Sequence, residues 1–130
     1  MNDSEILTLV HRLEHCQFAP SDFHHRDHLA VTVAYLYSAD FETALSRLRE
    51  SLMRFISFHG VMGYNETLTR FWVEQVAKRL DRKLCLEHSV RQIQAQLGDK
   101  NLIFAYYTKE RLNSAEAKQR WVEPDLAPIA

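Results

Sequence analysis

The sequence predicts an all-α protein, a compact bundle of five to six helices in one domain covering residues 1–130. Five segments repeat apolar residues at the three- and four-residue spacing of helices that bury one face. Glycine and proline number only three each, so the chain lacks the frequent turn signals that a many-stranded sheet requires. With 130 residues, 46% of them hydrophobic, the chain is long enough to bury a core of its own.

The first two predicted helices differ in their apolar pattern. Residues 3–16 form an amphipathic helix that the Asn-Asp pair at its start can cap, with Glu5 placed for a capping box. The second helix, 26–38, contains a nearly continuous apolar run at 29–37, which taken alone could be a buried strand. Because no second strand pattern is available to pair with it, we expect a helix that is buried on all sides at the centre of the bundle.

Capping and terminating residues mark the helices that follow. The residues that favour helix starts are Asp40, Asn65 and Ser114, and those that favour helix ends are Gly60 and Gly98. These signals predict a third helix over 41–59, a fourth from 66 to about 80, and a fifth that carries Leu86, Val90, Ile93 and Leu97. A shorter helical piece at 102–107 and a last short helix ending near 121 precede an extended, proline-containing tail.

Charge and cysteine content narrow the function classes. The 16 Lys and Arg residues against 17 Asp and Glu residues leave no net basic surface, which argues against nucleic-acid binding. No segment approaches the roughly 18 apolar residues of a membrane span, and the acidic N-terminus does not resemble a signal peptide. We therefore expect no membrane association and a cytoplasmic location, with Cys16 and Cys85 reduced and not bonded to each other.

The strongest chemical signal is a histidine cluster, FHHRDHL at residues 23–29. His24 and His28 are four residues apart and would share one face of a helix. Imidazole is a common metal ligand, so the pair could hold a divalent ion such as zinc if a third ligand were present. Imidazole also titrates near neutrality, which suits acid–base catalysis. The alternative is a polar helix start or a buried histidine bound to a backbone carbonyl.

A second motif, GYNETLT at residues 63–69, opens the fourth helix. Asn65 is a helix cap by its chemistry, and Glu66 suits the positive end of the helix dipole. A glycine-flanked helix start also presents free amides to a ligand. If this turn faces the histidines, Glu66 supplies the missing carboxylate. The candidate catalytic residues and metal ligands are then His24, His28 and Glu66, and the candidate ligand-binding residues are His25, Arg26, Tyr64 and Asn65.

Three stretches, 23–29, 63–69 and the WVEPDL ending of 110–126, together resemble a family of small uncharacterised bacterial proteins. The resemblance covers most of the chain but implies no activity, because none is established for the family. In the family pattern, histidine often stands at the position of Asn65, where it would form a His-Glu pair beside the second helix. An amide oxygen is a poor ligand for a borderline transition metal, so Asn65 favours a polar pocket over a tightly held metal.

The sequence therefore predicts a cytoplasmic protein with a polar pocket between the starts of the second and fourth helices. The pocket would bind a small molecule or a divalent metal, and catalysis there stays open. The alternative is a non-catalytic module that docks a partner protein. An exposed apolar patch would favour the module, whereas a buried pocket with convergent polar groups would favour the ligand.

Overall fold

The computed structural model describes residues 1–61 and 63–129, and within these ranges it is helical, with no β-strand. The all-α prediction is confirmed. Five helices of 11 to 19 residues form the body of the bundle: α1 (Asp3–Glu14), α2 (His25–Ser38), α3 (Phe41–His59), α4 (Glu66–Arg79) and α5 (Leu86–Gln96). Two short helices follow, α6 (Lys109–Leu112) and α7 (Ala115–Gln119), and 3₁₀ turns occupy Pro20–Asp22 and Leu102–Ala105.

The long helices begin and end where local chemistry predicts. The side chain of Asn2 accepts the Glu5 amide at 2.8 Å and the Glu5 carboxylate accepts the Asn2 amide at 3.0 Å, which completes a capping box. Asp40 caps α3 by accepting the Thr43 amide at 2.8 Å. Gly60 ends α3 at a φ of 65°, a left-handed conformation that costs residues with a side chain more than it costs glycine.

Helix α2 lies at the centre of the bundle and contacts α1, α3, α4 and α5. Every residue from 29 to 36 is buried, so its apolar run is enclosed on all sides. A helix satisfies its backbone hydrogen bonds internally, which lets such a run be buried without a partner strand. The choice of a central helix over a buried strand is therefore confirmed.

The segment after α5 departs from the prediction. The helical piece expected at 102–107 is only a 3₁₀ turn, and α6 lies outside every predicted helix. Thr108 caps α6 by accepting the Arg111 amide at 3.1 Å. The Asp125 carboxylate in turn accepts the backbone and hydroxyl protons of Thr108 at 2.9 and 2.7 Å. Thr108 is a residue type that favours helix starts, so this cap is a local signal that the predicted helices omit, and Asp125, 17 residues further along the chain, reinforces it.

The extended tail is held by hydrogen bonds to the body of the protein. The Tyr107 hydroxyl, which is fully buried, donates to the Val122 carbonyl at 2.6 Å. The Thr67 hydroxyl donates to the Arg120 carbonyl at 2.8 Å, and the Leu126 amide donates to the Tyr106 carbonyl at 2.9 Å. These bonds attach the tail to the start of α4 and to the segment between α5 and α6.

None of the helices within the described ranges has the length and apolar character needed to cross a lipid bilayer. The two cysteines are not bonded to each other, as predicted, and they differ in exposure. Cys16 is buried after α1, whereas Cys85 is exposed before α5.

This difference predicts two thiol reactivities. We expect Cys85 to react with a thiol-specific reagent in the folded protein and Cys16 to react only when the chain unfolds, because alkylation requires the sulfur to meet the reagent in solvent. Mass spectrometry after timed labelling measures both rates, and Cys85→Ser should abolish the fast phase. Equal rates for the two thiols under native conditions would contradict the prediction.

Candidate functional site

A cavity of about 500 Å³ lies where the N-terminal turns of α2 and α4 meet. Side chains from α3 and from the segments after α5 and α6 complete its wall. Its apolar and aromatic wall is formed by Leu52, Ile56, Leu68, Trp72, Ile103, Phe104 and Leu112. The polar residues around it are His25, His28, Tyr64, Asn65, Thr69, Lys100, Asn101 and Asn113. A cavity thus lies between the starts of the second and fourth helices, and of the predicted site residues His25, His28, Tyr64 and Asn65 line it.

His28 is the half-buried imidazole of this cavity, with its ring centroid 4.7 Å from that of Phe23. Burial, reinforced by the neighbouring His25, lowers the pKa of His28 to about 4. The imidazole is therefore neutral at pH 7, with one donor and one acceptor nitrogen. No hydrogen bond within residues 1–61 and 63–129 reaches these nitrogens. The expectation that this histidine titrates near neutrality, and so suits acid–base catalysis, does not hold.

The side chain of His25 forms a hydrogen bond that links two helices. Its Nε2 donates to the Leu97 carbonyl at 2.8 Å, which joins the start of α2 to the end of α5. Its ring also meets the edge of Trp72, with the two centroids 4.6 Å apart. In the neutral ring, this bond leaves Nδ1 as the acceptor, so His25 presents a defined tautomer beside the cavity.

Asn65 is a helix cap, as predicted, and it is also a buried link between segments. Its Oδ1 accepts the Leu68 amide at 2.9 Å, and its Nδ2 donates to the Leu112 carbonyl at 2.7 Å. Only 7% of its surface is exposed. The second bond attaches the start of α4 to the end of α6, and both of its residues line the cavity, so Asn65 helps to hold the shape of the cavity.

Glu66 points to a different place from the one predicted. Its carboxylate is bound by the guanidinium of Arg49 at 2.8 and 2.7 Å and by the Tyr64 hydroxyl at 2.5 Å. Burial raises the pKa of the Glu66 carboxyl, but the hydrogen bonds from Arg49 and Tyr64 outweigh burial and hold this pKa below its usual value. Glu66 lines a second cavity of about 450 Å³, which also includes Arg70 and Trp121. Tyr64 lines both cavities, whereas Glu66 lines only the second.

The predicted metal site of His24, His28 and Glu66 is therefore wrong as a shared constellation. The described part of the chain contains no group of three or more His, Cys, Asp or Glu side chains arranged to hold a metal ion. His24 is exposed and stands outside α2 as its extended N-cap residue, with φ and ψ of −94° and 167°. The rule that residues four apart share a helix face does not apply to a residue outside the helix.

Arg26 also fails as a ligand-binding residue of this cavity. Its side chain is exposed and lines neither of the two cavities described above, while its carbonyl accepts a hydrogen bond from Gln94 at 3.0 Å. Asp27, beside it, accepts the His24 amide at 3.0 Å and so serves the helix start. The Asp27 carboxylate therefore binds the backbone at the start of α2.

Several residues that line the cavity are not among the predicted site residues. Trp72 and Thr69 belong to the α4 pattern, where an apolar stripe indicates core and not a ligand wall. Lys100, Asn101 and Asn113 lie in short connections and carry no recognisable motif. Their role at the cavity follows from packing between segments far apart in sequence, so no signal in the chain could have identified them.

The cavity combines apolar walls with a few polar groups and has no carboxylate among its lining residues in the described ranges. Such a site can enclose an organic molecule and orient it through hydrogen bonds. No protein-family model, curated protein or solved structure significantly matches this chain.

Proposed function

We propose that the protein binds a small, largely apolar organic molecule in the cavity between α2 and α4. The observation that carries the proposal is a half-buried neutral imidazole, His28, which has no hydrogen-bond partner in the described residues and lines an apolar cavity of about 500 Å³. Ligand cavities have volumes of roughly 300–1,000 Å³ and use a few polar groups on apolar walls to orient their ligand. A polar atom of the ligand would satisfy the imidazole that the protein leaves free.

The state of His28 favours binding over proton transfer. A general base works best when its pKa lies near the working pH, and a pKa of about 4 makes His28 a weak base at neutrality. A neutral imidazole instead offers a donor and an acceptor that are both uncharged. We therefore propose His28 as a ligand-orienting residue, with Thr69 and the amides of Asn101 and Asn113 as the other polar contacts.

Cellular context forms part of the same proposal. An exposed free thiol at Cys85 suits a reducing compartment, which supports the cytoplasm as the place of action. We also propose that the chain belongs to the family of small bacterial proteins that residues 23–29, 63–69 and 110–126 resemble. Because no activity is established for that family, the resemblance suggests none for this protein.

The alternative of a protein-interaction module rests on exposed apolar side chains. In the described residues these occur in α1, α3 and the turn after it, and at the two ends of the chain: Met1, Leu7, Met53, Phe58, Val61 and Leu126. Scattered exposed apolar residues are normal in monomeric proteins. The cavity, in contrast, brings apolar walls and polar groups together, and we therefore place ligand binding first.

A panel of rigid one- and two-ring fragments, followed by amide NMR spectra of the full chain, tests this function. We expect binding fragments to shift the amides of Thr69, Ile103 and Asn113, because these belong to three segments that meet at the cavity. Leu68→Trp should weaken their binding at least tenfold, since a bulkier side chain on the wall narrows the space for the ligand.

Leu7→Trp is the matched control. Leu7 is an exposed leucine on α1 that lines none of the cavities, so the same substitution there should leave fragment affinity unchanged. A panel that produces no shifts at the cavity, or fragments whose affinity Leu68→Trp leaves intact, would refute the proposed function.

A further inference from the structure

The charge around the cavity is one-sided. Lys100 is the only lining residue with a permanent charge among the described residues, and the lining contains no carboxylate. Carboxylates are plentiful elsewhere, with 17 Asp and Glu residues in the chain. Asp99 precedes Lys100, but it does not line the cavity, and its carboxylate accepts the Asn101 amide at 2.9 Å. A cationic ligand would therefore meet a like charge and no counter-charge.

Lys100 differs from the arginines of the neighbouring cavity, each of which is paired with a carboxylate. Arg49 is paired with Glu66 at 2.7 Å, and Arg70 is paired with Glu74 at 3.0 Å. Lys100 is exposed in the turn after α5, and within residues 1–61 and 63–129 it forms no ion pair or hydrogen bond. Its ammonium group is thus available to a ligand without first breaking a contact within the protein.

The side chains beside Lys100 extend this polar rim. Asn101 and Asn113 are exposed cavity residues whose side-chain amides have no hydrogen-bond partner in the described ranges. Each amide provides two N–H donors, which suit the oxygens of an acid group. The interior beyond this rim is apolar, and Trp72 and Phe104 add flat aromatic surfaces to its wall. The polar end of a ligand is therefore favoured at the rim and its apolar body inside.

We infer that the ligand is a small aromatic or otherwise flat acid, whose apolar body fills the cavity and whose carboxylate meets Lys100 at the rim. This inference rests on the proposed function and adds the charge and the orientation of the ligand. The side-chain amides of Asn101 and Asn113 donate hydrogen bonds to the carboxylate. His28 forms a hydrogen bond with a polar atom at the buried end of the ligand. Because Lys100 is exposed, its attraction is screened by water and salt, and it contributes selectivity more than affinity.

Three compounds of the same shape test the inference on the full chain: 2-naphthoate, 2-naphthamide and 2-naphthylmethylammonium. At low ionic strength we expect naphthoate to bind about fivefold more tightly than the amide, the upper range for an exposed ion pair, and the ammonium compound to bind most weakly. Added salt should reduce this preference. Lys100→Met should make the acid and the amide bind equally, and Lys100→Glu should make the ammonium compound the best ligand.

Lys83→Met is the matched control, because Lys83 is exposed between α4 and α5 and does not line the cavity. It should retain the preference of the parent protein. If all three compounds bind at the cavity with equal affinity, or if the acid is still preferred in Lys100→Met, the inference fails while the proposed function stands. If the cavity binds none of the three compounds and no fragment of the panel, the proposed function itself fails.

Discussion

Asn65→Ala is expected to lower the free energy of unfolding by roughly 2–5 kcal/mol, the largest effect that we predict for a single polar residue here. Two hydrogen bonds, one buried and one partly buried, are lost together. Without the side chain, the Leu68 amide loses its cap and the Leu112 carbonyl loses its donor, at a position where only 7% of Asn65 is exposed. A lost cap costs about 1–2 kcal/mol, and an unsatisfied buried carbonyl adds about 1–3 kcal/mol. Chemical denaturation measures the sum.

Asn65→Asp separates the two contributions. Aspartate keeps an oxygen that can cap Leu68, but when ionised it has no proton to donate to the Leu112 carbonyl. We expect this variant to be destabilised at pH 7 and to recover part of the loss when the carboxyl is protonated. Asn101→Ala, at an exposed asparagine, should change stability by less than about 0.5 kcal/mol. An Asn65→Ala effect as small as that of Asn101→Ala would contradict the double role.

Acidification is expected to destabilise the parent protein through His28 by up to about 3 kcal/mol. The pKa of this histidine is about 4 in the folded protein against 6.5 for a free histidine. Between these values the unfolded chain binds a proton that the folded protein excludes. Stability from this group is therefore complete above pH 6.5 and falls as the pH decreases towards 4, because each pKa unit corresponds to about 1.4 kcal/mol.

His28→Gln removes the titrating group and should flatten the loss of stability between pH 6.5 and pH 4 relative to the parent protein. Denaturant unfolding at half-unit pH intervals gives the comparison, and the difference between the two proteins isolates His28 from other titrating groups. His88→Gln, which changes an exposed histidine on α5, should follow the parent profile. If the parent and His28→Gln lose stability in parallel, His28 is not held neutral by burial.

The local features of the fold were predictable from the sequence because the interactions that create them span only a few residues. Capping at Asn2, Asp40 and Asn65 acts over three residues, and the end of α3 at Gly60 depends on the backbone of one residue. The apolar run of α2 similarly predicts its central place, since a helix that is apolar all round must be enclosed. Helix α6 was missed although Thr108 caps its start over three residues, and Asp125 in the tail reinforces that cap.

For the site as well, the sequence motifs predicted some features, whereas others depend on contacts between distant segments. The two motifs lie at the starts of α2 and α4, and four of the residues they suggested, His25, His28, Tyr64 and Asn65, line the cavity there. They do not reveal that His24 stands outside the helix, or that Arg49 binds the carboxylate of Glu66. The carboxylate of Glu66 pairs with the cation that the packing of α3 against α4 brings near it, and the residue spacing within either helix does not predict which cation that is.

The sequence by itself determined the five long helices, their order and the central position of α2, because periodicity and capping are local properties of the chain. Only the tertiary structure decided the ionic partner of Glu66, the protonation state of His28 and the presence of Lys100 at the cavity. Charge pairing and desolvation depend on which distant segments enclose a group, and these energies arise only after the helices have packed.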